Sequence, residues 1–89
     1  MSNVFIAFQA NEDARPIVEA IIADNPHAVL VESPGLIKID APNELTIRRE
    51  TVEEKLGRAF SLQEVQINLV TLSGYLDEDD DQMTLSWNH

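Results

Sequence analysis

The feature that most constrains the fold is that apolar residues fall into short runs separated by turn signals. Asn25-Pro26, Ser33-Pro34-Gly35 and Ala41-Pro42-Asn43 interrupt the first half, and an acidic run at residues 77–81 interrupts the second. Proline and glycine supply the backbone dihedrals that tight turns need. The chain has 89 residues, and we expect one domain, residues 1–89, which buries about 60–65% of the surface that the unfolded chain exposes.

Two stretches have helical spacing. The first predicts a helix that ends near Asp24, with Asn11 or Asp13 as its cap. Pro16 must lie in the first turn, which favours Asp13. Its apolar stripe consists of Ala14, Ile17, Val18, Ile21 and Ile22.

A second helix is predicted to open with a capping box formed by Thr51 and Glu54 and to bury Val52, Leu56 and Phe60. Gly57 is expected to end or weaken this helix. Ser61 and Glu64 repeat the capping pattern, which predicts a further helical turn.

The remaining apolar runs predict strands. Residues 3–9 are apolar on both faces, which is typical of a central strand. Residues 28–32 and 36–40 form a hairpin, and residues 45–48 form a third strand. Residues 66–76 predict one long strand, in which a change of apolar parity near residues 68–70 indicates a bulge or burial of both faces. Met83, Leu85 and Trp87 alternate along a closing strand.

The resulting order is β-α-β-β-β-α-β-β, which predicts a single small α+β domain. We expect a mixed or antiparallel sheet packed on two helices.

Residues that carry chemistry are scarce. The sequence has no cysteine, only His27 and His89, and three glycines that are not grouped as in phosphate-binding loops. The acidic run at 77–81 lacks the spacing and the central glycine of a calcium loop, so it predicts a solvated hairpin tip. We therefore expect no cofactor, no metal and no catalysis by the chain alone, and a protein that acts on another protein.

The charge balance excludes several kinds of partner. Sixteen acidic residues face six basic ones, for a net charge of −10. Such a field repels nucleic acid and anionic lipid, so we expect neither as a partner.

No run approaches the roughly 20 apolar residues that span a bilayer, and the absence of cysteine fits a reducing compartment. The expected location is the cytoplasm.

Arg48, Arg49 and Arg58 form the one basic cluster. We expect these arginines to pair with nearby glutamates, Glu50, Glu53 and Glu54. The alternative is that Arg49 or Arg58 contacts a partner at the rim of an interface.

The run from Arg49 to Tyr75 carries a wider resemblance. Leu56-Gly57-Arg58, Phe60, Glu64, Asn68 and Gly74 occur at a spacing that resembles the effector, or coupling, proteins of bacterial multicomponent monooxygenases, and most of all the regulatory proteins of phenol hydroxylases. Length, acidity and the order of elements also fit that family.

The resemblance implies a regulatory subunit without a cofactor. Such a subunit binds a separate di-iron hydroxylase and couples electron transfer and O2 activation to aromatic hydroxylation. The partner-binding residues that it implies are Asn68, Val70, Thr71, Leu72 and Gly74. Methane-oxidising relatives carry a long N-terminal tail, whereas this chain enters its first strand almost at once, so tail-dependent regulation is expected to be absent.

A different class of function stays open at this point. A cavity between the first helix and the sheet could hold an apolar ligand, which would make the chain a small-molecule-binding regulatory or sensor domain.

Overall fold

The computed structural model describes residues 3–87. Strands and helices follow the expected order, with seven strands instead of six because the strand expected at residues 66–76 divides in two. The strands are β1 Asn3–Gln9, β2 Val29–Ser33, β3 Leu36–Pro42, β4 Glu44–Arg48, β5 Leu69–Ser73, β6 Tyr75–Glu78 and β7 Gln82–Ser86. The helices are α1 Arg15–Asp24 and α2 Arg49–Leu56, and a 3₁₀ helix covers Leu62–Ile67. The predicted α+β class is confirmed. Within residues 3–87, neither α-helix combines the length and the apolar character that a membrane span requires.

The strands form two antiparallel sheets. Sheet A has the order β2-β3-β1-β5, and sheet B has the order β4-β7-β6. β1 lies between β3 and β5, which confirms the prediction of a central strand. One face of sheet A, the two α-helices and sheet B enclose one apolar core, since α1 packs on α2 and β4, and β1 contacts β4 and β7.

The prediction of one long strand at residues 66–76 is wrong, because this segment contains the end of a 3₁₀ helix and two separate strands. The 3₁₀ helix extends to Ile67, and β5 and β6 belong to different sheets with Gly74 between them. The expected bulge near residues 68–70 is confirmed. Ala7 pairs with Thr71 and Phe8 with Leu69, so Val70 has no partner on β1.

The helix starts differ from the predictions. The cap position of α1 is Ala14, so neither Asn11 nor Asp13 occupies it. Of the two, Asn11 bonds to the start of the helix, because its Oδ1 accepts from the Ala14 amide at 2.8 Å. The α2 helix begins at Arg49, before Thr51, and has no side-chain cap. Capping patterns recur by chance among polar residues, whereas the path of the preceding strand decides where a helix can begin.

A buried amide fixes the other end of α1. The side chain of Asn25 donates to the carbonyl oxygens of Ile21 and Thr46, both at 2.7 Å, and accepts from the Thr46 amide at 3.0 Å. Asn25 therefore ends the helix, as predicted, and also attaches it to β4.

The capping box at Ser61 is present as predicted. Its hydroxyl accepts from the Gln63 amide at 3.3 Å, and the Glu64 carboxylate accepts from the Ser61 amide at 2.9 Å. This reciprocal pair fixes the start of the 3₁₀ helix, which buries Leu62 and Val65 and leads into β5.

We predict that Ser61→Ala lowers the free energy of unfolding by about 1 kcal/mol, since it removes one half of the capping box. Urea denaturation followed by circular dichroism measures the change. Gln63→Ala, at an exposed position of the same helix, is the control and leaves the midpoint almost unchanged. Equal effects of the two substitutions would show that the hydroxyl contributes nothing.

Candidate partner-binding surface

The β5 segment, residues 68–74, lies at one edge of sheet A. It begins at the end of the 3₁₀ helix, contains the bulge at Val70, and ends where the chain leaves for sheet B. An edge strand exposes unpaired backbone groups, and a bulge interrupts their regular spacing. The edge is thus accessible to a partner but poorly suited to simple strand addition.

The side chain of Asn68 is buried and anchors the bulge. Its Oδ1 accepts from the Nδ2 of Asn11 at 2.9 Å, and its carbonyl accepts from the Gln9 amide at 2.9 Å. Because the Asn11 side chain also accepts from the amide of Ala14 at the cap position of α1, the Asn11–Asn68 pair of side-chain amides links the start of α1 to the start of β5.

The bulge separates the apolar residues of β5 into exposed and core positions. Leu69 and Leu72 both pack against the core although they are three residues apart, which a regular strand would not allow. Val70 is 52% exposed and Thr71 is exposed. Val70 therefore lies outside the core, on the surface of the edge strand.

Gly74 has a backbone reason for being glycine. Its φ of 131° is one that L side chains rarely adopt. A Cβ there would lie 3.0 Å from both Leu85 Cδ1 and Val4 Cγ1. Gly74 thus allows the chain to cross from sheet A to sheet B over the packed core.

The acidic run forms a structured turn. The Oδ1 of Asp79 accepts from the amides of Asp81 and Gln82 at 2.8 and 2.9 Å, and these bonds hold the pKa of Asp79 below its ordinary value. Asp81 pairs with Arg49 at 3.1 Å. No group of His, Cys, Asp or Glu able to hold a metal ion occurs among residues 3–87.

The arginines do not pair as expected. Arg49 pairs with Asp81, and Arg58 pairs with Glu64 at 3.3 Å. The prediction that they pair with glutamates of α2 is therefore wrong. The distant carboxylates are brought close by the β6–β7 turn and by the 3₁₀ helix. The Ser61 amide first, and then the Arg58 guanidinium, lower the pKa of Glu64.

Two clefts on the surface of residues 3–87 differ from a usual apolar ligand site. The cleft of about 460 Å³ is lined only by polar and charged residues, among them Arg49, Glu53 and Asp81. A second cleft of about 160 Å³ lies beside Ile17, Phe60 and Asn68, and is smaller than the roughly 300 Å³ of a usual ligand pocket.

The Nε2 of His27 lies 3.0 Å from the carbonyl oxygen of Glu44, and His89 lies outside the described residues.

Residues 2–86 match the MmoB/DmpM family. The chain belongs to this family. It is 54% identical over 88 residues to the stimulatory component DmpM of phenol 2-monooxygenase from Pseudomonas sp. (strain CF600), covering 99% of this chain and 98% of that protein. It is 26% identical over 77 residues to the effector subunit of the alkene monooxygenase system of Xanthobacter autotrophicus, covering 84% of this chain and 76% of that one.

A solved structure supports the same assignment. The fold matches a chain from the structure of a phenol hydroxylase–regulatory protein complex with a TM-score of 0.93 and 48% identity. The match covers 98% of this chain and all of that one. The resemblance inferred from the spacing of residues 49–75 is thus confirmed, and the ligand-sensor alternative gains no support.

Several exposed apolar residues lie outside the surface that the sequence predicted. Ile67 is 72% exposed beside the β5 segment, and Tyr75 packs edge-to-face on Trp87 with their ring centroids 5.9 Å apart. Val29 and Val31 are also exposed. Val29, Leu30 and Val31 are consecutive apolar residues, so both faces of β2 carry apolar side chains. This pattern is the signal in the sequence that β2 lacks the usual alternation of core-facing and solvent-facing residues.

We predict that Gly74→Ala destabilises the protein by about 2–3 kcal/mol, because the strained backbone and the contacts with Leu85 and Val4 add together. Gly35→Ala is the matched control. Gly35 also has a positive φ, 78°, but open space surrounds its Cβ position, so we expect a cost of about 1 kcal/mol. Urea unfolding of both variants tests this, and equal costs would mean that the two side chains move aside freely.

We predict that Asp79→Asn reduces the acid sensitivity of the fold. A lowered pKa in the folded state gives stability that is present above the unfolded pKa and is lost as the pH falls through the folded pKa. Asparagine keeps the acceptor oxygen but does not titrate in this range. The melting midpoint should fall less steeply between about pH 5 and pH 3 than in the parent. Asp80→Asn removes the same charge from the same turn without touching either hydrogen bond, and an identical profile for both variants would refute the explanation.

Proposed function

We propose that this chain is the effector subunit of a phenol-type multicomponent monooxygenase. It binds the hydroxylase component and raises the fraction of electrons that end in hydroxylated product. The observation that carries the proposal is 54% identity, over nearly the full length of both chains, to the stimulatory component of phenol 2-monooxygenase. The structural match to a regulatory protein in complex with phenol hydroxylase supports it.

The effector is not itself a catalyst. The chemistry resides in the hydroxylase, whose di-iron centre the family resemblance implies, and the effector contributes binding energy. A protein that binds one conformation of its partner more tightly shifts the partner toward that conformation. A tenfold preference shifts the equilibrium by about 1.4 kcal/mol, so modest differential contacts suffice for a large change in population.

The proposed contact region is the β5 segment, with two kinds of residue. Val70 and Thr71 are exposed and available for direct contact. Asn68, Leu72 and Gly74 set the shape of the segment through the amide pair, the core and the sheet crossing. We further propose that residues 1–89 act as one domain in the cytoplasm, which fits a chain without cysteine.

The direct test is steady-state phenol oxidation by a purified di-iron hydroxylase and its reductase, titrated with this protein. We expect product per NADH to rise and to saturate near one effector per active site. No change with a competent cognate hydroxylase would refute the effector function.

We predict that Thr71→Glu weakens binding to the hydroxylase by about tenfold or more, because an exposed contact residue becomes an unpaired charge inside the interface. Titration calorimetry with the hydroxylase measures the affinity, and circular dichroism checks the fold. Ala23→Glu adds the same charge at an exposed position of α1 and serves as the control. An unchanged affinity for Thr71→Glu would remove this strand from the interface.

A further inference from the structure

The side of sheet A that faces away from the core is called here the outer face. The register places two rows of side chains on it, each crossing all four strands. One row is Val31, Lys38, Ala7 and Thr71, and the next is Val29, Asp40, Phe5 and Ser73. The intervening residues Val4, Ile6 and Phe8 point the other way, into the core.

The outer face is more apolar than a solvent-facing sheet surface usually is. Val29 is 59% and Val31 is 42% exposed, and Phe5 is half-buried. Antiparallel sheets with one face in water normally carry polar residues on that face. Here apolar residues on β2 and β1 break that alternation, and all five residues of the edge strand β2 are exposed.

The charge of this face also departs from the rest of the protein. Lys38 and Asp40 are the charged residues of the two rows, and they pair with each other at 3.5 Å. The face therefore has no net charge in a chain with sixteen acidic and six basic residues. Depletion of charge is what distinguishes the centre of a protein interface from ordinary surface.

Lys38 partly covers the apolar surface. Its Nζ lies 4.5 Å from the centroid of the Phe5 ring, and its side chain is 39% exposed. A lysine placed over a ring shields apolar atoms from water in the free protein and can move when a partner arrives. The small Ala7 lies between Lys38 and Thr71 in the same row, and only 1% of it is exposed.

The outer face is continuous with the proposed contact region. Thr71 belongs to both, and three strand spacings of about 4.8 Å separate it from Val31, or about 14 Å in all. A standard interface covers about 800 Å² on each partner, which is on the order of 30 Å across. A partner that covers Thr71 from this side therefore also covers Lys38 and reaches β2.

We infer that the outer face of sheet A, from Thr71 across Lys38 to Val29 and Val31, docks on the hydroxylase. The inference rests on the proposed function, because its occupant is the partner that contacts Thr71. Strands in a sheet twist by about 20–25° relative to their neighbours, so β2 lies toward the rim of the contact and its residues contribute less than Thr71 does.

The test uses a pair of substitutions within β2. Val31→Lys places a charge on the outer face, whereas Leu30→Lys places it at a position of opposite parity with nearly the same exposure, 43% against 42%. Calorimetric titration of the cognate hydroxylase should show an affinity about fivefold lower for Val31→Lys and an affinity within about twofold of the parent for Leu30→Lys. Val29→Lys is a second outer-face variant, and it should weaken binding as Val31→Lys does.

The outcomes separate this inference from the proposed contact segment. If Thr71→Glu weakens binding while Val31→Lys and Val29→Lys do not, the outer-face inference is wrong and the segment stands. If Val31→Lys weakens binding and Thr71→Glu does not, the inference as stated is wrong, because the contact then includes β2 but does not extend to Thr71. Equal losses for Val31→Lys and Leu30→Lys would overturn the inference in favour of pairing along the β2 edge. A concentration-dependent dimer of the free protein that Val31→Lys abolishes, with unchanged hydroxylase affinity, would assign the face to a second copy of this chain.

Discussion

The fold depends on the passage of one chain segment over the core at Gly74. Both sheets contain strands from the last third of the sequence, and β5 and β6 are joined by this single residue. Val4 from the centre of sheet A and Leu85 from the centre of sheet B approach the glycine so closely that a Cβ would touch both. The close contact of the two sheets and the shape of the β5 segment are therefore consequences of the same packing.

The sequence was sufficient where the signal was local. The hairpin turn at Gly35, the end of α1 at Asn25 and the capping box at Ser61 depend on residues within a few positions of one another, and all three were predicted. Prediction from the sequence failed where the structure depends on contacts between residues far apart in the chain. The run at residues 66–76 is apolar enough for one strand, but only the positions of Val4 and Leu85 show why it must divide at Gly74. Likewise, Arg49 finds Asp81 rather than a neighbouring glutamate because β7 pairs with β4.

The candidate surface was predictable in part. A change of apolar parity near residues 68–70 indicated a bulge, and the structure has one at Val70. The roles within the segment were not predictable, since burial of Asn68 depends on its bond to Asn11, 57 positions earlier. The outer face was even less predictable from the sequence, because it combines residues from four strands whose register is known only once the sheet is formed. Val29 and Val31 by themselves look like ordinary strand residues.

The acidic residues and the neutral outer face have different effects in the proposed binding. Acidic residues at the turns, at the 3₁₀ helix and along the helices act at long range, so they influence how fast a partner approaches and how strongly that rate depends on salt. The neutral outer face acts only on contact, where it can exclude water without leaving a charge unpaired. Under the proposed function, this separation lets the long-range charges and the contact surface vary independently of each other. Exposed carboxylates then set the rate of encounter, while Gly74 and Asn68 hold the shape of the β5 segment.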